Sequence, residues 1–142
     1  MRRISIIILG SLIAISAHSQ DLNDKQVPPV VKAALNKKFP TASKVLWDRE
    51  KGNYEANWGG RSGEDSSAQF TPAGVFVEWV RSVPISSLPS YIPSYVSVHY
   101  NDAKIKKVGR TTDVKGIHGY KVEILGKDLI FDVKGGFIRE EE

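Results

Sequence analysis

Chemistry in this chain would have to come from a short list of residues. Beyond the first segment there are two histidines, His99 and His118. No His-Glu-x-x-His run, no cluster of histidines with aspartates and no cysteine ligand set accompanies them. Serines occur in pairs at Ser66-Ser67 and Ser86-Ser87, but none sits in a nucleophile elbow and none has an evident base. The Glu64-Asp65 pair has the residue types for acid–base work, yet it falls in a Gly- and Ser-rich stretch with no apolar neighbours to shift a carboxyl pKa. No glycine-rich phosphate loop leads into a helix. The expectation is a protein that is not an enzyme, with no catalytic, cofactor-binding or metal-binding residues.

Charge narrows the partners. The formal net charge is +4, from 20 Lys and Arg against 16 Asp and Glu. Two of the basic residues, Arg2 and Arg3, belong to an N-terminal address, and without them the balance is 18 to 16. A nucleic-acid binder needs a concentrated basic footprint. The nearest approach is Lys104, Lys106, Lys107 and Arg110, which reads as the wet face and end of a strand, so no nucleic-acid partner is expected.

The address itself has three parts. Arg2 and Arg3 precede an apolar stretch from Ile4 to Ile15, and small residues follow at Ala17 and Ser19. This is the pattern of a secretory signal peptide over residues 1–19, cut after Ser19. The apolar run is too short for a bilayer span, which takes about 20 residues. The expected product begins at Gln20, is soluble in the periplasm or medium, and has no stable membrane insertion. The absence of cysteine removes lipidation at an N-terminal Cys, disulfides and thiol chemistry.

The remaining residues, 20–142, suffice for a single domain with a real core, and they contain a repeat. At an offset of 61, Val27, Pro28, Val31, Leu35, Phe39 and Ala42 match Leu88, Pro89, Ile92, Val96, Tyr100 and Ala103. The same offset pairs Phe70, Gly74, Phe76 and Val77 with Phe131, Gly135, Phe137 and Ile138. Between these blocks the offset is 66, pairing Tyr54, Ala56 and Trp58 with Tyr120, Val122 and Ile124. The two copies span about 27–83 and 88–139. Each opens with apolar residues at helical steps: Val27, Val30, Val31, Ala34, Leu35, Phe39, and then Leu88, Tyr91, Ile92, Tyr95, Val96, Tyr100. This spacing predicts helices over 28–39 and 91–100, with Pro40 ending the first. Ser90 as N-cap would place Pro93 at N3, where no intrahelical donor is lost.

About four short strands follow each helix. Tyr54-Glu-Ala-Asn-Trp58 and Tyr120-Lys-Val-Glu-Ile124 alternate apolar and polar residues. Thr71–Gly74 and Asp132–Gly135 read as tight turns, and Gly59–Asp65 as a longer hairpin loop. Trp47 and Trp58 share the parity of core positions. Trp79 does not declare itself, since either Phe76, Glu78 and Val80 or Val75, Val77 and Trp79 fit an inward set. Alternation sends Glu55, Asn57, Gln69, Lys121 and Glu123 to the face opposite the helices. With Trp79 as a further candidate anchor, these residues form the expected protein-binding face.

The run from Val27 through Phe39-Pro40 to Trp47, followed by Gly52-Asn-Tyr-Glu-Ala56 and Phe70-Thr-Pro-Ala-Gly-Val-Phe76, resembles the PepSY-like proteins of the bacterial envelope, grouped with the beta-lactamase-inhibitor-like fold. The resemblance spans 27–139. It implies an α+β fold in which a tandem duplicated unit, a helix followed by about four antiparallel strands, sets two helices on one face of a curved antiparallel sheet. It also implies periplasmic or secreted placement, and inhibition of an extracytoplasmic hydrolase has been proposed for the namesake domains. Pro93 and Ile105-Lys-Lys-Val108 depart from the pattern, the latter in the way a β-bulge would. The expected function is an exported, non-catalytic binding module that engages another envelope or extracellular protein or peptide. The alternative is a small-ligand or envelope-stress sensor with a pocket between helices and sheet.

Overall fold

The computed structural model describes residues 20–142; the expected signal peptide lies outside them. In chain order the elements are β1 (Gln20–Leu22), α1 (Pro29–Lys38), β2 (Leu46–Glu50), β3 (Asn53–Trp58), β4 (Ser66–Phe70), β5 (Phe76–Ser82), α2 (Tyr91–His99), β6 (Ile105–Asp113), β7 (His118–Ile124), β8 (Lys127–Asp132) and β9 (Phe137–Glu141). The nine strands form one open, curved antiparallel sheet, and their spatial order is their sequence order. Helix followed by four strands therefore occurs twice. The short β1, which the sequence pattern did not suggest, pairs Asp21 with Asp48 and Leu22 with Trp47 on the edge of β2.

Both helices start at proline-bearing turns. Pro29 occupies the first position of α1, where its missing N–H costs nothing. As expected, Ser90 stands at the N-cap and α2 begins at Tyr91, but the cap lacks its side-chain bond. Ser90 is already in the right-handed helical region and its side chain makes no capping bond. The first turn instead closes from the Ile92 amide to the Pro89 carbonyl, at 3.0 Å. Pro93 still sits where no intrahelical donor is lost.

Each helix buries a narrower stripe than its apolar spacing suggests. Val27, Val31 and Leu35 are buried beside α1's strands, and Ile92 and Val96 beside those of α2. The equivalent positions Val30 and Tyr91 are 50% and 69% exposed, so they do not belong to the core. They lie over the turns at Gly74 and Gly135, where the backbone passes too close for a side chain. A Cβ on Gly74 would stand 2.8 Å from the Val30 carbonyl oxygen, and one on Gly135 3.1 Å from the Tyr91 Cβ. Both glycines also have positive φ.

Two adjoining clusters make up the core. One gathers Val27, Val31, Leu35, Trp47, Ala56, Ala68 and Phe70, the other Ile92, Val96, Val108, Tyr120, Val122, Ile124, Leu129 and Phe131. Face parity carries across the join between them, because Trp79 pairs with Thr112 and Arg110 with Tyr120. Both helices thus pack on the same side of the sheet.

Three register shifts interrupt the ladders. In β5, Phe70 opposes Phe76 while Gln69 opposes Glu78, leaving Val77 as the extra residue. In β9, Phe131 opposes Phe137 while Ile130 opposes Arg139, leaving Ile138 extra at the corresponding place. The third falls between Ile105 and Lys107, the departure expected in β6. Bulges of this kind increase the local twist.

Candidate functional site

The face without helices is the polar one. Register places Asp48, Glu55, Asn57, Gln69 and Glu78 on it in the first half, and Lys121, Glu123, Asp128 and Glu141 in the second. Trp79 does not join them. The bulge at Val77 resets the alternation, so Phe76 and Trp79 both point to the helix side, and Trp79 packs against Phe39 with ring centroids 5.3 Å apart. Its indole N–H is buried without a hydrogen-bond partner. Trp79 is thus half-buried on the helix side against the first core cluster, and does not lie on the face where it was expected. Trp47 is buried and Trp58 half-buried in the same cluster.

The polar residues form two groups. In the first, Asn57 Nδ2 donates to Asp48 Oδ2 at 3.1 Å and to Glu55 Oε1 at 3.3 Å, and Gln69 Nε2 donates to Glu55 Oε2 at 3.2 Å. These bonds tie β2, β3 and β4 together and leave Asn57 only 9% exposed. Asp48 also faces Asp21 across the β1–β2 pair. Partial burial, a proton shared with Asp21, and repulsion from Asp21, Glu55 and Glu50 push its pKa up to about 6. A shallow recess of about 340 Å³ opens here, with Asp21, Asp48, Asn57 and Glu64 among its walls.

The second group centres on Lys121. Its ammonium lies 3.2 Å from Glu78 Oε2 and 3.9 Å from Glu141 Oε2, joining β5, β7 and β9 over the intervening strands. Burial alone would lower its pKa, but Glu78, Glu141 and Asp128 together outweigh that and hold it above the usual lysine value. Asp128 is raised, chiefly by burial, with Lys121 opposing. Gly109 stands opposite Lys121 in β6, and the side chain of Val80 fills the space above it. A Cβ there would stand 2.3 Å from Val80 Cγ1.

Sequence reasoning reached one member of the second group besides Glu123, namely Lys121. Glu78 and Glu141 follow bulges, so alternation counted through those strands puts them on the wrong side. Asp48 was available, since a core Trp47 sends its neighbour outward. The remaining candidates for chemistry stay apart. His99 stacks on Tyr95 at 4.1 Å, and His118 Nδ1 meets Thr112 Oγ1 at 3.0 Å. Ser87 Oγ donates to the Pro84 carbonyl, and Glu64 lies 3.9 Å from Lys107. Lys107 and Arg110 sit on opposite faces of β6, with Arg110 over the Tyr120 ring, so no single basic footprint forms. Among the described residues, no group of three or more His, Asp or Glu side chains is arranged to hold a metal, and no helix is long and apolar enough to cross a membrane.

The model of the beta-lactamase-inhibitor-like, PepSY-like family matches this chain twice, over residues 10–77 and 59–139. The chain belongs to the PepSY-like family. Solved structures agree on the fold. A protein of Bacteroides eggerthii DSM 20697 assigned to the periplasm superposes with a TM-score of 0.65 at 20% identity, covering 81% of this chain and 88% of its own. A DUF2874 family protein of Bacteroides uniformis ATCC 8492 gives 0.64 at 22% identity, covering 80% and 88%. A BLIP-like protein of Bacteroides fragilis NCTC 9343 gives 0.58 at 21% identity, covering 80% and 84%. None of the curated proteins matches the chain. Membership in the PepSY-like family accounts for the helix-bearing sheet and leaves the polar face to be read on its own chemistry.

Proposed function

We propose that this PepSY-like chain is an exported, non-catalytic binding module whose helix-free sheet face docks on another envelope or extracellular protein. In this reading residues 1–19 are removed after Ser19, and residues 20–142 form a single domain built from a tandem duplication. The repeated order of helix and four strands, the two family-model matches and the bulges at Val77 and Ile138 support the duplication. The assignment of a structural neighbour to the periplasm supports export.

The observation that carries the binding role is the ordered charge mosaic on the uncovered face. Glu55 is held by Asn57 and Gln69, and Lys121 by Glu78 and Glu141. Side chains already fixed lose little entropy on docking, and a broad mixed polar surface suits a protein partner better than a small ligand. The beta-lactamase-inhibitor-like description of the family makes an extracytoplasmic hydrolase the first class of partner to test.

The test is capture from an envelope extract by the tagged exported protein and by its Glu55→Lys/Glu123→Lys variant. Loss of a specifically captured protein, with the variant's melting midpoint within a few degrees of the parent's, is the expected result. Capture at undiminished affinity by a folded variant moves the site off this face.

A further inference from the structure

The two halves differ at one place where their frames coincide. Phe70 and Phe76 meet at 5.9 Å with planes 65° apart, and their counterparts Phe131 and Phe137 at 5.7 Å and 71°. Gly74 and Gly135 approach Val30 and Tyr91 in the same way. Over this shared frame the second half places Tyr95. Its ring stacks on Phe137 at 4.8 Å, meets the edge of Phe131 at 5.5 Å, and is covered by His99 at 4.1 Å. In the first half the position of Tyr95 is taken by Ala34 and that of His99 by Lys38. Lys38 Nζ lies 4.2 Å from the Phe76 ring centre with no ring between. A shallow, open cleft of about 350 Å³ remains, lined by Ala34, Lys37, Lys38, Phe70, Gly74 and Phe76.

We infer that this cleft is an acceptor site for an aromatic side chain, a tyrosine or phenylalanine carried on an acidic segment of a partner protein. The second half displays the occupied form of the site with its own Tyr95 in place. A ring entering the first half would displace Lys38 from the Phe76 face and stack there in its place, with Lys38 then covering the new ring from outside as His99 covers Tyr95. The acidic character follows from Lys37 and Lys38, both exposed and, among the described residues, paired with no carboxylate. Carboxylates flanking the aromatic residue would meet them. The site lies on the helix side of the sheet and does not rest on the docking role of the opposite face.

The test titrates the ¹⁵N-labelled exported protein with three peptides, Glu-Glu-Tyr-Glu-Glu, Glu-Glu-Ala-Glu-Glu and Lys-Lys-Tyr-Lys-Lys. The expected result is shifts at the amides of Ala34, Gly74 and Phe76, with the acidic tyrosine peptide binding about tenfold tighter than either control, the step one stacked aromatic pair can supply. Ala34→Tyr, which fills the cleft as Tyr95 fills its twin, is expected to abolish the preference for the tyrosine peptide. Lys38→Glu is expected to abolish the preference for acidic flanks, and serves if Ala34→Tyr does not fold. Equal binding of the tyrosine and alanine peptides, or shifts confined to other residues, overturns the inference. Glu55→Lys/Glu123→Lys is expected to leave this binding unchanged, which keeps the two proposals separable.

Discussion

Asp48 and Asp21 face each other across the first strand pair, and this costs stability at neutral pH. The perturbation that exposes the cost is Asp48→Asn. Folding raises the Asp48 pKa from 3.8 to about 6, so between those values the folded chain holds more protons than the unfolded one. Stability therefore falls as pH rises through this window, and the penalty is complete above about pH 7. At about 1.4 kcal/mol per tenfold change in proton affinity the ceiling is near 3 kcal/mol, but the group is partly exposed, and solvent screening reduces the expected penalty to about 1 kcal/mol. Asparagine keeps the shape, can still accept from Asn57 Nδ2 through its amide oxygen, and offers Asp21 a donor instead of a charge.

The assay is thermal melting of parent and variant from pH 4 to 8. A gain of roughly 3–5 °C for Asp48→Asn is expected at pH 7.5 for a chain of this size. The gap should narrow through pH 6 and close near pH 4. Other titrating groups move both proteins alike, so the difference between the curves isolates the pair. A variant less stable than the parent at pH 7.5, or a gap that ignores pH, refutes the reasoning.

Other perturbations test the packing. Leu35→Ala empties a fully packed site under α1 and is expected to cost about 2–4 kcal/mol in chemical denaturation, and Val96→Ala somewhat less. Gly119→Ala should cost about 1–3 kcal/mol, because its Cβ would stand 2.6 Å from the Phe131 carbonyl oxygen, a backbone atom that cannot turn aside. Intact mass of the exported protein is expected to begin at Gln20, and an uncleaved chain in the membrane fraction contradicts the signal-peptide reading.

Much of this architecture was legible because it rests on periodicity. Val31, Leu35, Ile92 and Val96 announce their helices, and the broken alternation at Ile105-Lys-Lys-Val108 announces a bulge that the ladder contains. Trp79 was not legible. Its facing depends on where one extra residue enters β5, and in the run Val75 to Val80 the one polar residue, Glu78, fits either alternation. The same uncertainty hides Glu78 and Glu141, and with them the partners of Lys121. The exposure of Val30 and Tyr91 was equally hidden, since it is set by turns distant in sequence. Strand β1 is three residues long, too short to show a period. Ala34 and Tyr95 were aligned by the repeat, but only packed rings reveal that one position holds a side chain the other lacks.

The strand order that repeats the sequence order bears on how the chain comes together. Every ladder joins neighbours along the chain: six close as hairpins over short loops, and the other two, β1–β2 and β5–β6, close over a helix. Most sheet proteins of this size collect strands from far apart and fold slowly; here the mean separation of hydrogen-bonded partners is small, and folding should be correspondingly quick. Among the described residues, the two halves meet in the ladder along β5 and β6 alone. The first half's strands and α1 can therefore come together on contacts of their own, with β5 as the edge on which β6 and the second half are laid.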